Sequence, residues 1–165
     1  MSEATPLSAR QLDQQALSQL LDITPPFLML DSVCVSQGET LTDWHADGSK
    51  QLSADDWFFA CHLPSVQAMP ATLITEGMLQ TLVSLIYCSI DHGAHRSYVT
   101  HLQVQLQRGA TVGEQLRFRA HLVSNRRGIL KGQVDVFAAT PSGEQSIGRG
   151  DFQYASPHLM VLPGR

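Results

Sequence analysis

The chain has 165 residues, a length that suits one domain with a sizeable core. With 43% apolar and only 16% charged residues it is globular rather than disordered, and its net charge of −4 lacks the basic footprint that broad nucleic-acid binding requires. The N-terminus shows no signal-peptide succession, and the three widely spaced cysteines (Cys34, Cys61, Cys88) favour reduced thiols, so a cytoplasmic setting is expected.

The first predicted element is an amphipathic helix over residues 8–21. Ser8 and Gln11 have capping-box spacing, and Leu12, Ala16, Leu17, Leu20 and Leu21 form an apolar stripe that ends before Pro25-Pro26. Residues 1–7 and 157–165 are expected to be loose tails of a single domain spanning 1–165. Residues 27–35 read as a strand with Asp31 at a buried or functional turn, Gln37-Gly38 as a hairpin tip, and residues 40–45 as the returning strand. Residues 47–70 read as a long loop, which inside a compact domain marks function.

Pro70 opens a helix over residues 71–89 that is apolar nearly all round, as expected of an element surrounded by protein. Its composition raises the question of a membrane span. Glu76, Gln80, Ser84 and Ser89 interrupt it and no positive cluster flanks it, so a buried helix is expected and no membrane. Beyond Asp91-His92-Gly93, alternation predicts strands over 98–107, 116–123, 128–138 and 147–154, separated by turn-forming residues. Four strands after one buried helix predict an α+β fold of hot-dog type, an antiparallel sheet wrapped around a long central helix.

Two ionisable residues stand in strongly apolar sequence, His62 within 58–65 and Glu76 within 71–80. Burial disfavours their charged forms, raising a carboxyl pKa and lowering an imidazole pKa, so such a pair can exchange protons near neutral pH. Gln80 lies one helical turn from Glu76 and can hold its carboxyl, with Leu73 and Val83 extending that face as an apolar wall. Pro64 and Pro70 stiffen the segment that delivers His62. Ala71 and Thr72, at the helix start, present unpaired backbone N–H groups suited to a developing oxyanion. Base, acid and oxyanion donor together suit proton abstraction beside a thioester carbonyl with loss of water from the next carbon.

Pro26-Phe27-Leu28-Met29-Leu30-Asp31-Ser32-Val33 resembles the opening motif of the 3-hydroxyacyl-acyl-carrier-protein dehydratases of the FabZ/FabA type. Residues 58–80 are similar to their active-site signature: two aromatics (Phe58, Phe59), His62, Pro64, Met69-Pro70, then Glu76 and Gln80. Gln107-Arg108 through Val112-Gly113-Glu114-Gln115-Leu116, and Arg126-Arg127-Gly128-Ile129-Leu130-Lys131, resemble the family's two later turns. The resemblance implies that His62 takes a proton from C2 of a (3R)-3-hydroxyacyl thioester and Glu76 protonates or orients the leaving 3-hydroxyl. It implies that the Ala71 N–H binds the thioester carbonyl, and that Thr72, Gln80, Phe59 and Pro70 shape the substrate site. It further implies homodimers, sometimes joined into hexamers, with His62 and Glu76 of one site from different subunits. An acyl carrier protein or coenzyme A would bring the substrate on phosphopantetheine, with no metal or organic cofactor.

The chain departs from the family at Cys61, Ser65, Gln67 and Ala71, and has Ile23-Thr24-Pro25 ahead of the first motif. These changes fit a specialised dehydratase, of polyketide-type or other secondary metabolism, better than housekeeping fatty-acid elongation. Two other functions compete: a thioesterase on the same fold, with an acidic helix residue activating water, and a non-catalytic acyl-binding dimer. Cys61 is expected to be a packing thiol, Asp91, His92 and His95 to be solvated turn residues rather than a metal site, and Arg108, Arg126, Arg127 and Lys131 either to receive an acidic carrier or to be ordinary surface charges.

Overall fold

The computed structural model describes residues 8–92 and 97–160. Its centre is the helix α3 (Ala71–Ser89), with the limits expected from the sequence. It is long and apolar enough to cross a membrane, yet Ile74, Met78, Leu82, Leu85 and Ile86 are fully buried against the rest of the chain. Around it lies one antiparallel sheet of seven strands: β1 (Ser8–Asp13), β2 (Ser32–Gln37), β3 (His45–Gln51), β4 (Tyr98–Leu106), β5 (Gln115–Arg126), β6 (Ile129–Thr140) and β7 (Gly143–Ala155), in the order β1-β2-β3-β5-β6-β7-β4. Alternate residues of the long strands face α3. Leu116, Phe118, Ala120 and Leu122 of β5, and Leu130, Val134, Val136 and Ala138 of β6, are all buried. Sheet and helix share a single apolar core, the hot-dog arrangement read from the sequence.

The first half of the chain differs from expectation in four places. Residues 8–13 form an edge strand, with Ser8 opposite Gln37 and Asp13 opposite Ser32, and only α1 (Gln14–Leu21) is helical. The cap is Asp13, whose carboxylate accepts Ala16 N–H at 2.8 Å, while Ser8 Oγ donates instead to Gln37 Oε1. Pairing along β2 outweighs the weak helical periodicity of residues 8–12. Second, residues 27–31 stay irregular, because Met29 N–H and the Phe27 carbonyl bond to the Gln80 side chain instead of to a neighbouring strand. Third, residues 41–43 form a 3-10 turn fastened by Asp43 and Thr40, so the returning strand starts only at His45. Fourth, the long loop is shorter than expected, since β3 runs to Gln51 and a short helix, α2 (Trp57–Cys61), interrupts the remainder.

After β7, residues 157–159 make a 3-10 turn, and Ser156 N–H is tied to Gly128 O at 2.8 Å.

Candidate active site

Glu76 lies on the stripe of α3 that runs through Leu79, Gln80, Val83 and Tyr87. These five side chains line a cavity of about 230 Å3 whose other walls are Leu21, Ile23, Ser97, Val99 and Tyr154. Glu76 and Tyr87 are eleven helical positions apart, so the stripe extends roughly 16 Å along the axis. Leu73, expected on this wall, is not part of it and packs against the core.

Gln80 fixes the carboxyl. It is 1% exposed, and its Nε2 donates to Glu76 Oε1 and to Phe27 O, each at 2.9 Å, while its Oε1 accepts Met29 N–H at 2.8 Å. Both N–H donors and one of the two oxygen lone pairs of the amide are therefore committed, and the carboxyl cannot swing away without breaking its bond to Nε2. Burial pushes the Glu76 carboxyl above its ordinary range, and the Gln80 hydrogen bond offsets that only in part. Nearby, the phenol of Tyr154 is raised far more strongly, first by burial and then by the charges of Glu76 and Tyr87; its hydroxyl donates to Leu79 O at 3.3 Å.

His62 sits elsewhere. It is the residue that ends α2, its N–H donating to Phe58 O at 2.8 Å, and its side chain is exposed rather than part of the Glu76 cavity. The backbone turns sharply beyond it, with Leu63 at φ 45° and Gln67 at φ 52°. Position of α2 is set from two sides: Trp57 Nε1 donates to Pro26 O at 3.1 Å, and Lys50 Nζ pairs with Asp56 at 2.8 Å just before the helix. Apolar side chains are left bare in the segment that carries the histidine, with Leu63 57% and Val66 60% exposed and Trp57 of α2 half exposed.

Ala71 and Thr72 are both exposed at the start of α3. The first helical bonds run from Leu73 and Ile74 N–H to Pro70 O, at 2.9 and 3.1 Å, which leaves the N–H groups of Ala71 and Thr72 without an intrahelical acceptor. Pro70 and Phe59 are buried in the scaffold beneath. The approach to α3 is pinned by Met69 N–H on Ala110 O at 2.8 Å and by the bridge of Ala68 to Thr111. Glu114 closes that neighbouring turn, accepting from Thr111 N–H and from both terminal nitrogens of Arg108; the Arg108 hydrogen bonds hold its carboxyl below the ordinary range. Arg108 is thus tied into the fold, whereas Arg126, Arg127 and Lys131 remain exposed.

Two smaller expectations change. The Cys61 thiol is exposed, bonded weakly to the Trp57 and Phe58 carbonyls, and not packed in the core. Asp91 is not a solvated turn residue: it is 3% exposed and accepts a hydrogen bond from Ser97 Oγ at 3.1 Å. His95 falls outside the described residues, and among the described residues no cluster of metal-binding side chains occurs. Sequence reasoning missed Tyr87, Ser97 and Tyr154 as cavity residues. Tyr87 was within reach, since it continues the stripe of Glu76, Gln80 and Val83; Ser97, just before β4, and Tyr154 of β7 reach the cavity only through the tertiary fold and leave no local signal.

A FabA-like domain model matches residues 23–141. The 3-hydroxyacyl-[acyl-carrier-protein] dehydratase FabZ of Shewanella woodyi is 31% identical over 137 residues, covering 78% of this chain and 87% of the relative. The corresponding enzyme of Moorella thermoacetica is 26% identical over 87% of this chain and 96% of its own. Among solved structures, the dehydratase heterocomplex ApeI:P of Xenorhabdus doucetiae superposes with a TM-score of 0.64 at 16% identity, over 86% of this chain and 90% of the other. A hypothetical thioesterase of Streptococcus pneumoniae solved with coenzyme A gives 0.56 at 10% identity, over 78% and 88%. At such identities these two structures speak for the fold alone.

Proposed function

The chain belongs to the FabA-like family, and from that premise we propose that it dehydrates a (3R)-3-hydroxyacyl thioester to the trans-2-enoyl thioester. The observation that carries the reading is the Glu76 carboxyl: raised in pKa by burial, held by Gln80, and facing a largely apolar cavity. Such a group is protonated more readily than an ordinary glutamate and can give its proton to a departing hydroxide. His62 removes the proton from C2, and the electron pair forms the C2–C3 double bond as the 3-hydroxyl leaves as water with the Glu76 proton. The N–H groups of Ala71 and Thr72 stabilise the negative charge that builds on the thioester oxygen. The reaction is redox-neutral and uses only proton transfers, so the proposed mechanism calls for no metal or organic cofactor.

His62 and Glu76 do not share a cavity in one chain, and the bare Leu63 and Val66 side chains that follow His62 call for a cover. The reading therefore includes a homodimer in which His62 of one chain reaches the Glu76 cavity of the other, with further assembly to a hexamer open. The relatives named above act on acyl-carrier-protein substrates, and we assign the same carrier class here, with coenzyme A as the other phosphopantetheine carrier. Acyl-chain building of fatty-acid or polyketide type, in the cytoplasm, is the matching setting; the three unpaired thiols are compatible with a reducing compartment.

The test supplies 3-hydroxyacyl thioesters of several lengths, on carrier protein and on coenzyme A, and follows enoyl absorbance together with free thiol. Enoyl product without thiol release is expected. Thiol release without enoyl product would instead establish a thioesterase.

A further inference from the structure

The cavity beside Glu76 is apolar along most of its length but not at its far end. There Tyr87 Oη accepts Ser97 N–H at 3.1 Å, and both residues line the wall. Behind them Ser97 Oγ is held by Asp91 Oδ2 at 3.1 Å and shares a hydrogen bond with Ser156 Oγ, and both of those residues are buried. Tyr87 is itself 5% exposed, yet among the described residues nothing accepts its hydroxyl proton. A buried O–H without an acceptor is costly, so this donor is satisfied only by something that enters the cavity.

We infer that the far end of this cavity recognises a hydrogen-bond acceptor at the distal end of the acyl tail, and that Tyr87 is the specificity-determining residue. The inference rests on reading the Glu76 cavity as the acyl site. With C3 of the substrate at Glu76, the tail runs past Leu79, Val83 and Val99 and arrives at the Tyr87 hydroxyl. The preferred tail therefore ends in an oxygen, as a ketone, ether or hydroxyl, rather than in a methyl group. A purely apolar tail would leave the phenol without an acceptor, or trap a water against it.

Binding of matched saturated acyl-pantetheine thioesters tests this without depending on turnover. One ligand ends in a methyl group and the other, of equal length, in a methyl ketone. The wild-type protein is expected to bind the ketone about five- to tenfold more tightly, the scale of one neutral hydrogen bond. Tyr87→Phe should abolish the difference between the two ligands, because it removes the donor oxygen and keeps the ring. Equal affinities in the wild type, or a preference that survives Tyr87→Phe, overturn the inference. Dehydration of the corresponding 3-hydroxyacyl thioesters is scored separately: its absence counts against the proposed reaction, while the binding pair still decides the role of Tyr87.

Discussion

Gln80 shows how one side chain can serve both fold and chemistry. Its amide closes hydrogen bonds to the irregular segment at residues 27–29 and to the carboxyl of Glu76. Replacing it by leucine keeps the bulk but strands Met29 N–H and the Phe27 carbonyl. At about 1–3 kcal/mol for each buried group left unpaired, Gln80→Leu should lower stability by at least about 2 kcal/mol, read as a fall in the urea midpoint at unchanged slope. Glu76 makes a prediction of opposite character. Burial raises its pKa, so between the unfolded and folded values the native state holds the proton more tightly than the unfolded chain does. Stability associated with the neutral carboxyl is complete below the unfolded pKa and is lost as pH rises through the folded one. Glu76→Gln, which cannot ionise, should therefore melt higher than wild type at pH 8 and lose that advantage at pH 4, while dehydration is lost. A melting difference that grows toward acid would show that the wild-type carboxyl is held ionised. The sequence disclosed this pair through four-residue spacing alone. It could not disclose the partners at 27–29, which lie about fifty positions away and join Gln80 only when β2 and α3 pack.

At the level of elements, α3 was readable to the residue because every face of it is apolar and Pro70 marks its start. The glycine at its centre needed coordinates. A Cβ at Gly77 would stand 2.7 Å from Phe118 Cζ and 3.0 Å from Cε1, and that ring is fully buried. Alanine gains about 1 kcal/mol in helix propensity over glycine, but overpacking a tight core costs typically 1–3 kcal/mol. Gly77→Ala should accordingly be neutral to destabilising by up to about 2 kcal/mol in chemical denaturation; a clear gain in stability would mean that Phe118 yields freely. The N-terminal segment went the other way. Its leucines suggest a helix from residue 8, and the true start at Gln14 follows from Asp13 as cap and from strand pairing that no local pattern announces. The long strands β5 and β6 read well because their buried residues alternate over 116–122 and 130–138, whereas the irregular 27–31 stretch looks like a strand because burial selects the same apolar residues.

For the whole molecule, the decisive question is which chains supply one site. His62 is exposed at the end of α2, and Glu76 opens into a cavity that His62 does not line. A single chain thus offers two half-sites, each useless alone under the proposed mechanism. His62→Ala should reduce turnover by at least about a hundredfold, the scale of a lost acid–base group, and Glu76→Ala should do the same. Mixing the two inactive variants separates the alternatives. If sites form across a two-fold interface, half of the randomly assembled dimers are mixed and each contains one intact site with both His62 and Glu76, so about a quarter of wild-type activity should return on co-refolding. If each site is built within one chain, every chain in the mixture carries a lesion and no activity returns. Recovery should also follow assembly, appearing only when co-refolding or co-expression allows the two variants to exchange partners. Activity regained by simple mixing of stable dimers at the same speed would point to exchange that is fast compared with the assay, which dilution would expose.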